Sequence, residues 1–376
     1  MQKIKFDTSK RDSQATEVIP ISVERFDLDA YADYEKVLLK KCEAFCNAAS
    51  GVLVYRRMRA AEVFADGSRD MKRSLELQLG CLQKSLAFQA DVPNFLEPWY
   101  GIGVYASAYG IDYVWNEGQA PASHCRFDTL DEAIKYEPKA VAQTAIGKHT
   151  LNMIDYFMNE TKGKLPVCFT DAQSPLNTST LIVNTSDMML NTMLDPDAVK
   201  KFLDTLAGQI IEFVAEQKKI IGDCLVKPGH GFASARNFDG YGQSDDNIIM
   251  LSNEDYLECA VPSFEKVGLK YGGPVLHSCG DWSSKLPIIS KIKGLQMVDA
   301  AFSTQTDPNP NPALLFSEAL ADSGIILNAR IVGNLDVIER TIRQLWRPRM
   351  KLIVVTYCPT PEEQKQAYDL IHEICV

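Results

Sequence analysis

The chain has 376 residues, of which 46% are hydrophobic and 23% charged, and its net charge is −10. That length fits two average domains or one large α/β barrel. The acidic balance excludes nucleic acid and an anionic membrane surface as main partners, because both need clustered Lys and Arg. The short basic stretches at Lys40-Lys41, Arg56 to Arg59 and Arg343 to Lys351 read as solvated faces. The opening MQKIKFDTSKRDSQ has no apolar core of a secretory signal, and no apolar run approaches the ~20 residues that span a bilayer, so a cytoplasmic protein is expected. Ten cysteines are scattered along the chain. Cys81, Cys168, Cys224 and Cys259 sit in apolar segments and read as small buried hydrophobes.

In chain order, residues 1 to about 30 are polar and expected to wrap the surface. YEKVLLKKCEAFCNAA and MKRSLELQLGCLQKSLAF then carry apolar residues at three- and four-residue spacing, which predicts helices. Between them, GVLVYRRM fits a first strand or another helix. After Asp91 the pattern alternates. KLPVCFTDAQSP predicts a strand, and DPDAVKKFLDTLAGQIIEFVAEQKKI a long amphipathic helix. GDCLVKPGHG predicts the next strand, and SNEDYLECAVPSFEKVG a helix with Ser252 as its cap and Asp255 at the third helical position. GPVLHSCGD, GLQMVDAAF, GIILNARIVGN and KLIVVTYCP predict four more strands. Strand–helix alternation at this period implies an α/β fold with a parallel sheet: a (β/α)8 TIM barrel over 91–376 with an α-helical N-terminal extension over 1–90. An open doubly wound sheet is the alternative, disfavoured by the lack of a Gly-rich first turn.

In such a barrel the chemistry gathers at the C-terminal ends of the strands. Those ends supply Glu97, Trp99, Asp171, Gln173, His230, His277, Cys279, Asn334 and Cys358. His277 and Cys279 are two residues apart and point the same way at one strand end, while Cys358 arrives from another. One imidazole and two thiolates suit Zn2+, and three protein ligands leave one position open for substrate. The alternative is a hydrogen-bonded core histidine with two packing cysteines; the turns at Gly280 and Pro359 argue for the mouth instead. Asp246, in the loop after His230, is a candidate fourth ligand, a partner that orients His277 from behind, or a proton acceptor, and Glu97 is a second candidate ligand. The aromatic run that follows could wall a pocket but is expected mostly to pack a helix against the barrel, with Trp99 and Tyr100 placed at the site. Asp171, Gln173, His230 and Asn334 are candidate substrate contacts. His124 and His149 read as structural.

The stretches LQLGCLQKSLAF, LDPDAVKKFLDTL, SDDNIIMLSNEDYLECAVPSFEKV, VLHSCGD and GNLD resemble the uroporphyrinogen decarboxylase superfamily, in its zinc-dependent methyltransferase branch. The methylcobalamin:coenzyme M methyltransferases are the best-known members of that branch. The resemblance runs from about Leu77 to Ile374. It implies a barrel, zinc on His277, Cys279 and Cys358, and methyl transfer between a corrinoid (methylcobalamin) carried by a partner protein and a small molecule such as a thiol, aryl methyl ether or methylated amine. The decarboxylases proper need arginines near the N-terminus to hold substrate carboxylates, and the RRMR run at 56–59 reads as a superficial echo of them. A tetrapyrrole decarboxylase and a non-catalytic binder of a methylated ligand are the competing functions.

Overall fold

A computed structural model describes residues 13–376. Six short segments pair in one parallel sheet: β1 Gly51–Arg56, β2 Tyr241–Ser244, β3 Pro274–His277, β4 Met297–Ala301, β5 Ile326–Ile331 and β6 Lys351–Thr356. Their spatial order is β1-β6-β5-β4-β3-β2. Further segments close the ring. The Asp91 N–H donates to the Val54 carbonyl of β1, Leu96 and Leu225 both bridge Val167 in parallel, and Gln173 bridges Ser244 of β2. With the six strands, these bridging segments complete a (β/α)8 barrel, as the alternation predicts.

Two boundaries differ from expectation. GVLVYRRM is the first barrel strand, so the barrel begins at Gly51, inside the stretch expected as a helical extension. Ahead of it lies one long helix, Leu28–Asn47, capped by the Asp27 carboxylate on the Ala30 N–H. The other difference is β2, which falls in a stretch read as loop. The Ser252 cap is present, its hydroxyl accepting from Asp255 N at 3.0 Å. The helix it starts passes through a π turn at Tyr256–Ala260 before continuing as Val261–Leu269. Pro262, which lacks an N–H to give, sits just beyond that turn. Among the described residues no helix is long and apolar enough to cross a membrane.

Side chains alternate across each strand. Leu53, Tyr55, Val275, Met297, Ile353 and Val355 pack with Phe232 and Cys168 in one buried cluster, the barrel interior. Val54, Leu276, Val298, Leu327, Ala329, Leu352 and Val354 pack outward against the helical layer. Continuing the inward series to the strand ends gives Arg57, His277, Asp299, Arg330 and Tyr357, so the mouth is polar by the same alternation that makes the interior apolar.

Asp91 ties the ring together. Its buried carboxylate accepts from Lys41 Nζ (2.8 Å), Tyr368 OH (2.7 Å), His372 Nε2 (2.9 Å) and Val54 N (2.9 Å). These donors come from the N-terminal helix, the C-terminal helix Pro361–Ile374 and β1. Burial favours the acid form, but the His372, Lys41 and Tyr368 hydrogen bonds outweigh it and hold the carboxyl below its ordinary value. A depressed carboxyl contributes stability above its unfolded pKa and loses it as pH falls through the folded one, so the loss begins near pH ~4. Asp91→Ala is expected to cost ~3 kcal/mol in urea unfolding at pH 7, the low end for a broken buried pair, because Lys41 and His372 regain water. The penalty should shrink at pH 3; a pH-independent penalty would assign the loss to packing.

Candidate functional site

His277 ends β3 directly beside Asp299 of β4, in register. Its Nδ1 lies 2.5 Å from Asp299 Oδ2. Asp299 also accepts from Arg330 Nε (2.9 Å) and Asn328 Nδ2, both on β5. Burial favours the acid form of Asp299, but the Arg330 guanidinium, followed by His277, holds its carboxyl below the ordinary range. For His277, burial alone disfavours the charged ring. The Asp299 hydrogen bond, then that to Cys279, overcomes this and raises the ring to about 10. A metal ion binding there would displace that proton.

With Nδ1 taken by Asp299, Nε2 is the ring nitrogen turned toward Cys279 and Asp246. It lies 3.4 Å from Cys279 Sγ and 3.9 Å from Asp246 Oδ1. Asp246 in turn accepts from the Cys279 N–H at 2.7 Å. One ligand atom from each of Asp246, His277 and Cys279 falls within 4.8 Å of the others. Tetrahedral zinc with nitrogen and sulfur ligands at about 2.0 and 2.3 Å sets them roughly 3.5 Å apart, so the observed 3.4 Å fits. The carboxylate behind the imidazole is the outer partner that zinc histidines ordinarily have. Asp245, the neighbour of Asp246, turns the other way, into the buried Tyr256 hydroxyl at 2.8 Å.

The structure does not bring Cys358 to this group. Tyr357 continues the inward series of β6, which leaves Cys358 on the outer face. There it is 3% exposed, and burial raises its thiol to about 11. Its carbonyl accepts from Arg56 Nε at 2.8 Å. It lines a separate groove with Asn334, whose side chain caps the helix Leu335–Leu345 through Val337 N. Asn334, expected as a substrate contact, is occupied as a helix cap.

The mouth holds a cavity of about 230 Å3, lined by Gln14, Arg57, Arg59, His230, Gly231, Phe232, Ser244, His277, Asp299 and Arg330. Arg56 and Arg57 are not on a solvated face: they are 3% and 5% exposed. Arg57 donates to both oxygens of Glu97 at 3.2 Å. Glu97 Oε2 also holds His230 Nδ1 at 2.6 Å, so Glu97 serves Arg57 and His230 rather than the His277 group. His230 Nε2 stands 3.7 Å from Asp171 Oδ2. Asp171 accepts from Trp99 Nε1 (3.1 Å) and Gln173 Nε2 (3.3 Å), which joins three expected residues in one chain behind the cavity. Tyr100 lies apart from it, stacked on His149 at 3.8 Å and packed against Tyr113 and Trp115. The aromatic run is a packed cluster, not a pocket wall.

The family model for uroporphyrinogen decarboxylase (URO-D) matches residues 47–338. The chain belongs to the URO-D family. No curated protein sequence matches it. A solved methyltransferase from Methanosarcina mazei shares the fold with a TM-score of 0.63 at 14% identity, covering 89% of this chain and 98% of that one. The matched span starts 30 residues before the stretch that carried the resemblance, at β1 and the arginines.

Sequence reasoning missed Asp299, Arg330 and Arg57 in this URO-D family member. Asp299 had a signal: a lone carboxylate in the apolar run QMVDAAF, at an inward position. For a zinc ion held by the His277 group, Asp299→Asn is expected to weaken binding by about 10–100-fold, read by competition with a chromophoric chelator. Unchanged affinity would leave Asp299 serving only Arg330.

Proposed function

We propose that this protein is a zinc-dependent methyltransferase that moves a methyl group between a corrinoid carried by a partner protein and a small substrate. The observation that carries the reading is the Asp246–His277–Cys279 group, with His277 backed by Asp299, at the C-terminal mouth of a URO-D barrel. His277 Nε2, Cys279 Sγ and an Asp246 oxygen would hold the ion, and three protein ligands keep a position open for substrate. Bound there, zinc supplies a Lewis acid that favours the thiolate form of a thiol near neutral pH.

The chain's own residues do the rest. Asp299 fixes the His277 ring, and Arg330 and Asn328 fix Asp299. Arg57 Nε and Arg330 Nη2 are buried without a hydrogen-bond partner, and both residues line the cavity. Buried guanidinium N–H groups left unpaired favour a negatively charged group on the substrate. Phe232, packed edge-on to His277 at 6.3 Å, gives the cavity an apolar wall beside the ring.

The same arginines favour a second reading, decarboxylation of a carboxylate substrate. The donor set separates the two: the Asp246–His277–Cys279 group suits zinc, which holding a carboxylate on arginines does not require.

The test is zinc by elemental analysis, followed by turnover of methylcobalamin with small thiols and methyl donors. About one zinc per chain is expected, lost in His277→Ala, Cys279→Ser and Asp246→Ala and kept in Cys358→Ser. Loss in Cys358→Ser would restore Cys358 as a ligand. Metal-free wild-type protein, purified without chelators, would sink the reading and bring decarboxylation forward.

A further inference from the structure

Two imidazoles face the cavity, and the metal group uses one. The other, His230, stands between Gly229 and Gly231, which take left-handed backbone angles (φ 126° and 84°). That backbone is pinned by the Ser234 hydroxyl on Gly229 N at 3.0 Å and by Phe232 N on the Gly229 carbonyl at 3.2 Å. Phe64 packs against one side of the ring at 5.4 Å. Glu97 Oε2 takes Nδ1 at 2.6 Å, and Glu97 is itself fully buried against Arg57. Burial favours the acid form of Glu97, but Arg57 and His230 outweigh it and hold the carboxyl at about 2. Glu97, ionised beside Arg57, is the acceptor in this contact and Nδ1 the donor. Nε2 makes no hydrogen bond among the described residues. Its nearest carboxylate, Asp171 at 3.7 Å, already serves Trp99 and Gln173. The result is an oriented basic nitrogen, with a carboxylate behind it, in the cavity that His277 also lines.

Building on the methyltransferase reading, we propose that His230 Nε2 is the proton acceptor for the acceptor thiol. The thiol S–H bond breaks, an N–H bond forms at Nε2, and the electron pair stays on sulfur. Glu97 stabilises the imidazolium that results, as a carboxylate behind a general-base histidine does. The sulfur then takes the methyl group: a carbon–sulfur bond forms and the carbon–cobalt bond breaks, its pair remaining on cobalt. Arg57 is a positioning residue here, since it keeps Glu97 ionised and directed at the ring.

The experiment compares two thiols in single-turnover methyl transfer from methylcobalamin, followed by the cobalamin absorbance. One is an alkanethiol, mostly protonated at pH 7; the other is an acidified arenethiol, already ionised at that pH. His230→Gln is expected to slow the alkanethiol about 10²–10⁴-fold and the arenethiol far less, at unchanged zinc content. Equal slowing of both, or of neither, overturns the proposal. As a second test, imidazole added to His230→Ala should restore part of the alkanethiol rate where non-basic thiazole does not. No such difference overturns it too. Wild-type protein that transfers methyl to neither thiol overturns the methyltransferase reading itself, and this proposal with it.

Discussion

A carboxylate shut off from water sits among three neighbouring strands at the barrel mouth, and its surroundings keep it ionised. Asp299 would be costly to bury alone. Arg330 and Asn328 arrive from β5 and His277 from β3, so one charge takes donors on both sides of its own strand. Each partner is in turn constrained by Asp299. The His277 ring cannot rotate without leaving it, and Arg330 is held with one Nη unspent. The candidate metal group is thus a consequence of register: β3, β4 and β5 are aligned so that three inward side chains meet at one depth.

The opposite side of the mouth repeats the device with different residues. Glu97, buried and charged, takes Arg57 and His230. Each pairing couples a carboxylate, an arginine and a histidine, and each leaves one imidazole nitrogen outside the pairing. Between them lies a small cavity with two buried guanidinium groups not fully satisfied by protein. A site built this way is organised before any ligand arrives, because its charges are fixed by neighbours on rigid strands rather than by the substrate.

How much of this could be read in the sequence follows from the range of the interactions. Strands β3 to β6 were legible as apolar runs between helical stretches, and the Ser252 cap as a local motif. The strand β2, YGQS, was not: it is four residues long and half polar, and its Tyr241 is buried by a hydrogen bond to Tyr105, 136 residues away. His277 and Cys279 were legible because their relation lies within one strand end. The partners of Glu97 were not, since Arg57 is 40 positions before it and His230 is 133 after it. The RRMR run shows the limit of composition. Of four residues that look like a charged surface patch, Arg57 and Arg59 line the mouth cavity, because β1 precedes them and fixes which of them turn inward.

Cys358 and Asp246 make the same point about alternation from two directions. Both lie just past the end of a strand, and residue type alone favours the cysteine as a zinc ligand. On β6, however, Ile353, Val355 and Tyr357 form the inward series, and a residue one step further along faces the helices. A thiol there is buried among apolar side chains, which disfavour the thiolate that a metal needs. Past β2 the chain runs Asp245 outward to Tyr256, so Asp246 falls on the side where His277 presents Nε2. In the proposed zinc site, the side of the wall a residue occupies would decide the ligand set, and a one-residue difference in phase would outweigh the chemical preference of sulfur over oxygen.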